Sequence, residues 1–191
     1  KFNETLALLL EHGYEMKDID VFAVGKKAAD AAVKAGFSLE EDFSDLADKP
    51  TYDRAVDLAS ELIDRFSEGE VEQVIFIYSH MASTSSQPVI RENYLPLALH
   101  DYASGAYPED YILEPDPMSL VKELLPKVLL LKMYTVVLDA NAAEHAARTV
   151  AMQVATDNAQ DLISELTLAY NKGRQQEITA EILDLIGGTM A

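Results

Sequence analysis

The sequence predicts a mixed α/β fold in which a partly parallel sheet with flanking helices is followed by one very long C-terminal helix. Three observations carry this expectation. Two continuous apolar runs, 21–24 and 74–78, have the length and character of buried strands. Segments of 3.6-residue periodicity lie between and around them, the alternation that covers the faces of a sheet with helices. From about residue 118 a single helical pattern then continues to about residue 186.

The elements follow in order. Phe2, Leu6, Leu9 and Leu10 share one helical face, and Gly13 closes that helix. Residues 19–24 come next, with Val21, Phe22, Ala23 and Val24 in succession before Gly25; a continuous apolar run ended by glycine reads as a buried parallel strand. A short alanine-rich helix stops at Gly36, and residues 37–43 read as a short edge strand. Asp48, Lys49, Pro50 and Thr51 form a turn and a helix start. Beyond it Ala55, Leu58, Ala59, Leu62, Ile63 and Phe66 keep the helical period until Gly69. Val74, Ile75, Phe76, Ile77 and Tyr78 form the second strong strand, while 89–95 and 111–113 are weaker ones joined by a Gly-, Tyr- and acid-rich loop over 99–110. Residues 1–117 are therefore expected to form a Rossmann-like domain, and 118–191 the long helix. A doubly wound domain ordinarily opens on a strand and this one opens on a helix. At least one strand is thus expected upstream, in keeping with a chain that starts at Lys1 rather than at methionine.

Composition narrows the function. With 49% hydrophobic residues the chain can bury a core. No apolar run reaches the ~20 residues of a membrane span, and no signal-type apolar segment follows Lys1. The absence of cysteine removes disulfides, thiolate nucleophiles and zinc–sulfur sites. Fifteen Lys and Arg against 33 Asp and Glu give a net charge of −18, without the basic stripe of a nucleic-acid binder. The acidic clusters at 40–42 and 109–110 read as solvated faces, and the overall charge favours partners with basic patches.

Motifs for chemistry are weak. Gly25-Lys26-Lys27 after a strand lacks both GxxxxGK[ST] and GxGxxG, so a strand-end turn is preferred to a phosphate cradle. Ser79-His80 with Ser83, Thr84, Ser85 and Ser86 lacks the strained elbow of a serine nucleophile and reads as a polar loop. His12, His80, His100 and His145 show no HxxxH or HExxH spacing, so no metal site and no cofactor are expected.

The long helix is the most informative element. Asp116 suits the N-cap and Pro117 the first helical position, while Pro126 should kink the rod. About 70 residues at roughly 1.5 Å each span on the order of 100 Å, which reaches beyond an ordinary domain. Ala140, Ala143, Ala147, Ala151, Val154, Asn158, Leu162, Leu166, Ala169 and Gly173 trace a seam of spacing three and four. Small residues on such a seam admit a second helix closely, half of a coiled coil whose partner is not among these residues. Glu144 and Arg148 stand four apart in the favourable order for a helix ion pair. Toward the end Arg174, Gln175, Gln176, Thr179 and Glu181 make the helix polar on most sides, as expected of a helix that is solvated or enclosed by a partner.

These residues carry a resemblance. Ile178, Thr179, Glu181, Asp184 and Gly188, in that spacing, resemble the closing motif of the γ subunit family of F-type ATP synthases, with Thr189 where alanine is usual. Glu144, Ala147, Arg148, Ala151 and Met152 match the family's upstream run, as do ATDNA (155–159), LISEL (162–166) and YNKGRQ (170–175). VGKKAAD, DKPTYD, VIFIYSHMAS and YILEPDP resemble it in order and spacing, so the similarity covers nearly the whole chain. The family's N-terminal helix, the coiled-coil partner, and its first strand are absent from it.

The resemblance implies a central stalk, a non-catalytic rotor that couples ion-driven c-ring rotation to conformational change at the catalytic β subunits. Its partners would be the α and β subunits of the ring, the ε subunit and the membrane c-ring, with no nucleic acid and no membrane insertion. Arg174, Gln175, Thr179 and Glu181 would meet β-subunit loops, and Glu144 and Arg148 would make contacts lower on the shaft. Tyr111, Glu114 and Asp116 would lie near the ε subunit and the c-ring. The location implied is peripheral, on the cytoplasmic face of a bacterial plasma membrane. Two alternatives stand beside it: a nucleotide-binding enzyme acting at Gly25-Lys26, and a coiled-coil adaptor pairing the seam with a second copy.

Overall fold

The computed structural model describes residues 1–39, 43–97 and 114–189, with side chains described as far as residue 186. The chain divides into two compact units, Lys1–Ala146 and the part from Ala147 onward. Helix α1 (Phe2–Glu11) is followed by a 3₁₀ turn at Met16–Asp18 and by α2 (Lys26–Lys34), α3 (Ser44–Asp48) and α4 (Tyr52–Ser67). Strands β1 (Val74–Ser79) and β2 (Val89–Leu95) come next, and α5 runs over Pro117–Thr189, 73 residues in all.

Helix α4 shows how local signals set an element. Thr51 is its N-cap in extended conformation, and Gly69, with φ +79°, lies beyond its end. Its apolar stripe supplies Ala55, Leu58, Ala59 and Leu62 to the main core, where Phe43, Leu46, Met133 and Val137 join them. Two arginines on α4 hold neighbouring segments. Arg54 lies over the Phe43 ring and pairs with Asp45 of α3, and Arg65 lies over Phe22 and pairs with Glu61 and Asp20. Asn141 of α5 donates to the Ala47 carbonyl at 2.7 Å, which fixes the end of α3 against α5.

The partly parallel, Rossmann-like sheet expected from the sequence is not seen among the described residues. Among those residues the sheet has two strands, and β1 pairs with β2 antiparallel. A short connection, 80–88, joins them; a connection of that length returns the chain beside itself, whereas a parallel pair needs a crossover of a dozen or more residues. Residues 19–24 belong to no helix and to no ladder. Ala23 is buried and the partly buried Phe22 and Val24 pack against the core, so the apolar run marks a packed segment that pairs with no strand among the described residues. A strand exists only through a pairing neighbour, and none lies beside this segment among the described residues. Residues 37–39 likewise form no ladder, and the other expected elements at 99–113 lie outside the described residues.

A bulge sets the end of the sheet. Val74 pairs with Leu95 and Ile75 with Asn93, so Tyr94 is the extra residue. The shift lets consecutive residues Tyr94 and Leu95 both reach the core, where Leu129 of α5 completes the cluster. Tyr94 stacks on Phe76 with ring centroids 4.4 Å apart.

Helix α5 begins as the sequence requires. Asp116 accepts the Met118 and Ser119 amides at 3.0 Å each and the Ser119 hydroxyl as well, a complete N-cap just before Pro117. These bonds hold the Asp116 carboxyl below its ordinary pKa, led by the Ser119 hydroxyl. The helix continues through Pro126. No described helix is long and apolar enough to cross a membrane.

Candidate functional site

In the first unit α5 faces inward through Leu129, Met133, Val136, Val137, Ala143 and Ala146, all buried. In the second unit every residue from Ala147 to Ile186 is exposed except Gly173, which is half-buried. The small-residue seam therefore changes character along its length. Ala143 is buried, whereas Ala147, Ala151, Val154, Asn158, Leu162, Leu166 and Ala169 are exposed. Large apolar residues share this exposure, Leu162 at 54% and Leu166 at 59% among them. A helix bearing so much uncovered apolar surface is built for a neighbour.

The last turns sort into two adjacent faces. Arg174, Ile178, Glu181 and Leu185 recur at spacing four, three and four, and so lie along one side. Gln175, Thr179, Ile182 and Ile186 repeat that spacing on the next side. Each side thus presents two polar groups among two exposed apolar ones. Thr179 donates its hydroxyl back to the Gln175 carbonyl at 2.7 Å, which fixes its rotamer. A Cβ at Gly173 would meet nothing within 4 Å, so this glycine is not demanded by packing within the chain.

The other site residues are dispersed. Glu144 and Arg148 are exposed and each already has a polar or charged neighbour. Glu114 is exposed, Asp116 is occupied by its capping bonds, and Tyr111 lies outside the described residues. The structure thus groups Arg174, Gln175, Thr179 and Glu181 within about two turns of α5.

The weak chemical motifs have structural explanations. Gly25 has φ +95° and ψ 147°, a region essentially reserved for glycine, and a Cβ there would stand 3.1 Å from the Ala47 Cβ. A turn pressed against α3 accounts for it. The serine-rich loop closes on itself, with Gln87 donating to the Ser83 and Thr84 carbonyls at 3.0 and 2.8 Å. His12 donates through Nδ1 to the Leu8 carbonyl at 2.6 Å. His80 meets Asp139 of α5, a pairing across 59 residues that no sequence spacing announces. Among the described residues no group of three His, Asp or Glu side chains is arranged to hold a metal ion.

Comparison with known proteins places this helix in context. The family model described as ATP synthase matches residues 1–191. The ATP synthase gamma chain of Phocaeicola vulgatus is 49% identical over 180 residues, covering 92% of this chain and 62% of that relative. The ATP synthase gamma chain of Bacteroides fragilis is 46% identical over 194 residues, covering 100% of this chain and 66% of the relative. The chain therefore spans a little under two thirds of these relatives' length. A chain in the cryo-EM structure of the Euglena gracilis mitochondrial ATP synthase, comprising OSCP, F1 and the c-ring in rotational state 3, shares the fold with a TM-score of 0.58 and 22% identity; 99% of this chain and 66% of that one are covered. By the model match along its whole length and the two bacterial relatives, the chain belongs to the ATP synthase gamma chain family.

Proposed function

We propose that this chain acts in the central stalk of an F-type ATP synthase, where it couples ion-driven rotation of the c-ring to conformational change at the catalytic β subunits. The observation that carries the reading is the exposed stretch of α5 from Ala147 to Ile186 in a chain of this family. Such a stretch needs a partner along its seam and a second, looser partner at its tip. Around the tip, polar groups alternate with exposed apolar ones, which suits a surface that must slide past a bearing: deeply anchored apolar contacts would create stall points. Each angle of an asymmetric shaft would favour one conformation of the neighbouring β subunit, so coupling is a population shift and the stalk itself breaks no bond.

In this reading Arg174, Gln175, Thr179 and Glu181 meet β-subunit loops, with Glu144 and Arg148 lower on the shaft. Residues 1–117 form the foot, and Tyr111, Glu114 and Asp116 lie toward the ε subunit and the c-ring. Segment 19–24 becomes a strand of a larger, partly parallel Rossmann-like sheet once a further strand lies beside it; its partly buried Phe22 and Val24, packed against the core, support this. The assembly sits peripherally on the cytoplasmic face of a bacterial plasma membrane, as the named bacterial relatives support.

The test is replacement of Arg174 and Gln175 together by alanine in the assembled complex. Coupled ATP synthesis is expected to fall while assembly stays normal. Unchanged synthesis in a normally assembled complex would remove these residues from the coupling surface.

A further inference from the structure

We propose that His80 and Asp139 form a protonation-sensitive latch that fastens the β1–β2 hairpin to α5. The contact uses both oxygens of one carboxylate. His80 Nδ1 lies 2.6 Å from one oxygen of Asp139, and the Met81 amide donates to the other at 2.9 Å. An ionised carboxylate only accepts, so Nδ1 carries the proton of this bond in either charge state of the ring. Protonation therefore keeps the bond and adds a charge to it.

The hairpin end is built as a unit that such a latch can hold. The His80 amide donates to the Pro88 carbonyl at 2.9 Å, and Ser83 and Ser86 bridge each other further out. Two helical turns earlier on α5, Lys132 pairs with Glu92 of β2 at 2.7 Å, and Glu92 also accepts the Tyr78 hydroxyl. These two charged contacts, His80–Asp139 and Lys132–Glu92, tie the hairpin to α5 beside the buried Tyr94–Leu129 contact. Of these two contacts, His80–Asp139 is the one that gains a charge when its imidazole takes up a proton. His80 contacts Asp139 of α5, and Asp139 in turn feels the charge of Lys132 on α5 and acts on Tyr78 of β1, which with Lys132 also engages Glu92 of β2. Direct contact with Asp139 makes it the dominant neighbour. The His80 side chain is 46% exposed and that of Asp139 26%, so protons reach the pair from solvent.

Nuclear magnetic resonance on the full-length protein tests this between pH 5.5 and 8. The Met81 amide signal is expected to titrate together with the His80 ring. Its hydrogen-exchange protection, corrected for intrinsic rate, is expected to be roughly threefold higher at pH 6 than at pH 8, the size of effect an exposed charge pair produces. His80→Gln, which keeps an N–H donor but does not titrate, is expected to abolish the Met81 response, and Asp139→Asn to abolish it as well. A Met81 response that persists in His80→Gln overturns the proposal. So does a wild-type Met81 signal that stays constant while the His80 ring titrates.

Discussion

The Tyr94 hydroxyl donates to the Leu129 carbonyl at 3.0 Å, joining the bulge at the end of β2 to the buried face of α5. The ring is 1% exposed and stacks on Phe76, so sheet and helix share one side chain as their hinge pin. Tyr94→Phe keeps the stack and removes the hydrogen bond. Because the Leu129 carbonyl also serves the helix ladder, the expected loss is about 1 kcal/mol in urea unfolding. Burial pushes the Tyr94 phenol up to about 12. Its contribution is therefore full below the unfolded value near pH 10 and is lost as pH rises through about 12. Tyr94→Phe should flatten the alkaline fall in stability, and an identical slope in both proteins would contradict this assignment.

At Gly25, backbone conformation and packing oppose a side chain together. Gly25→Ala is expected to cost about 2 kcal/mol, within the range for a strained backbone position. Ala47→Gly clears the 3.1 Å contact but leaves the φ of +95° untouched. It should restore only a small part of the loss. Full rescue would show that crowding, not backbone strain, governs the site.

Two leucines separate folding from assembly. Leu58 is 2% exposed among Phe43, Leu46, Met133 and Val137, so Leu58→Ala should destabilise the chain by about 3 kcal/mol. Leu162 is 54% exposed. Leu162→Ala should leave the thermal midpoint of this chain within a degree or two, as surface substitutions do, and impair association with the stalk's partners. A large loss of intrinsic stability from Leu162→Ala would mean that the seam is already covered within the chain.

Asp139 gives the acid limb of stability a specific origin. Burial pushes its carboxyl up, but the bonds from His80 and the Met81 amide, with the charges of His80 and Lys132, together hold it below its ordinary value. The folded value is depressed, so the contribution is present above about pH 4 and is lost as pH falls through the folded value. Asp139→Asn should weaken the protein at pH 6 and make its urea midpoint less sensitive to pH between about 5 and 2. Equal acid sensitivity in both proteins would assign that limb to other carboxylates.

What was legible in the sequence was what is decided locally. Helix α4 carries its start at Pro50 and Thr51, its buried stripe and its stop at Gly69 within one stretch, and the cap at Asp116 is equally self-contained. Residues 19–24 betrayed their burial through Phe22 and Val24 but not their pairing, which depends on a neighbour distant in sequence. Helix α3 escaped notice because five residues are too few to show a period, although its Leu46 is fully buried. The seam from Ala140 to Gly173 is readable as a periodic pattern, and the structure adds that its stretch from Ala147 to Ala169 stands exposed. His80–Asp139 could not be found in the sequence, because only the folded hairpin brings these residues together.

The most direct measurement is rotation. The full-length protein, assembled with the α and β subunits and carrying a probe on its foot domain, is observed during ATP hydrolysis. Unidirectional turning of the probe is expected, interrupted when α5 is truncated before Arg174. A probe that stays still while the ring hydrolyses ATP, or turning that is indifferent to the loss of α5 from Arg174 onward, would contradict the stalk assignment.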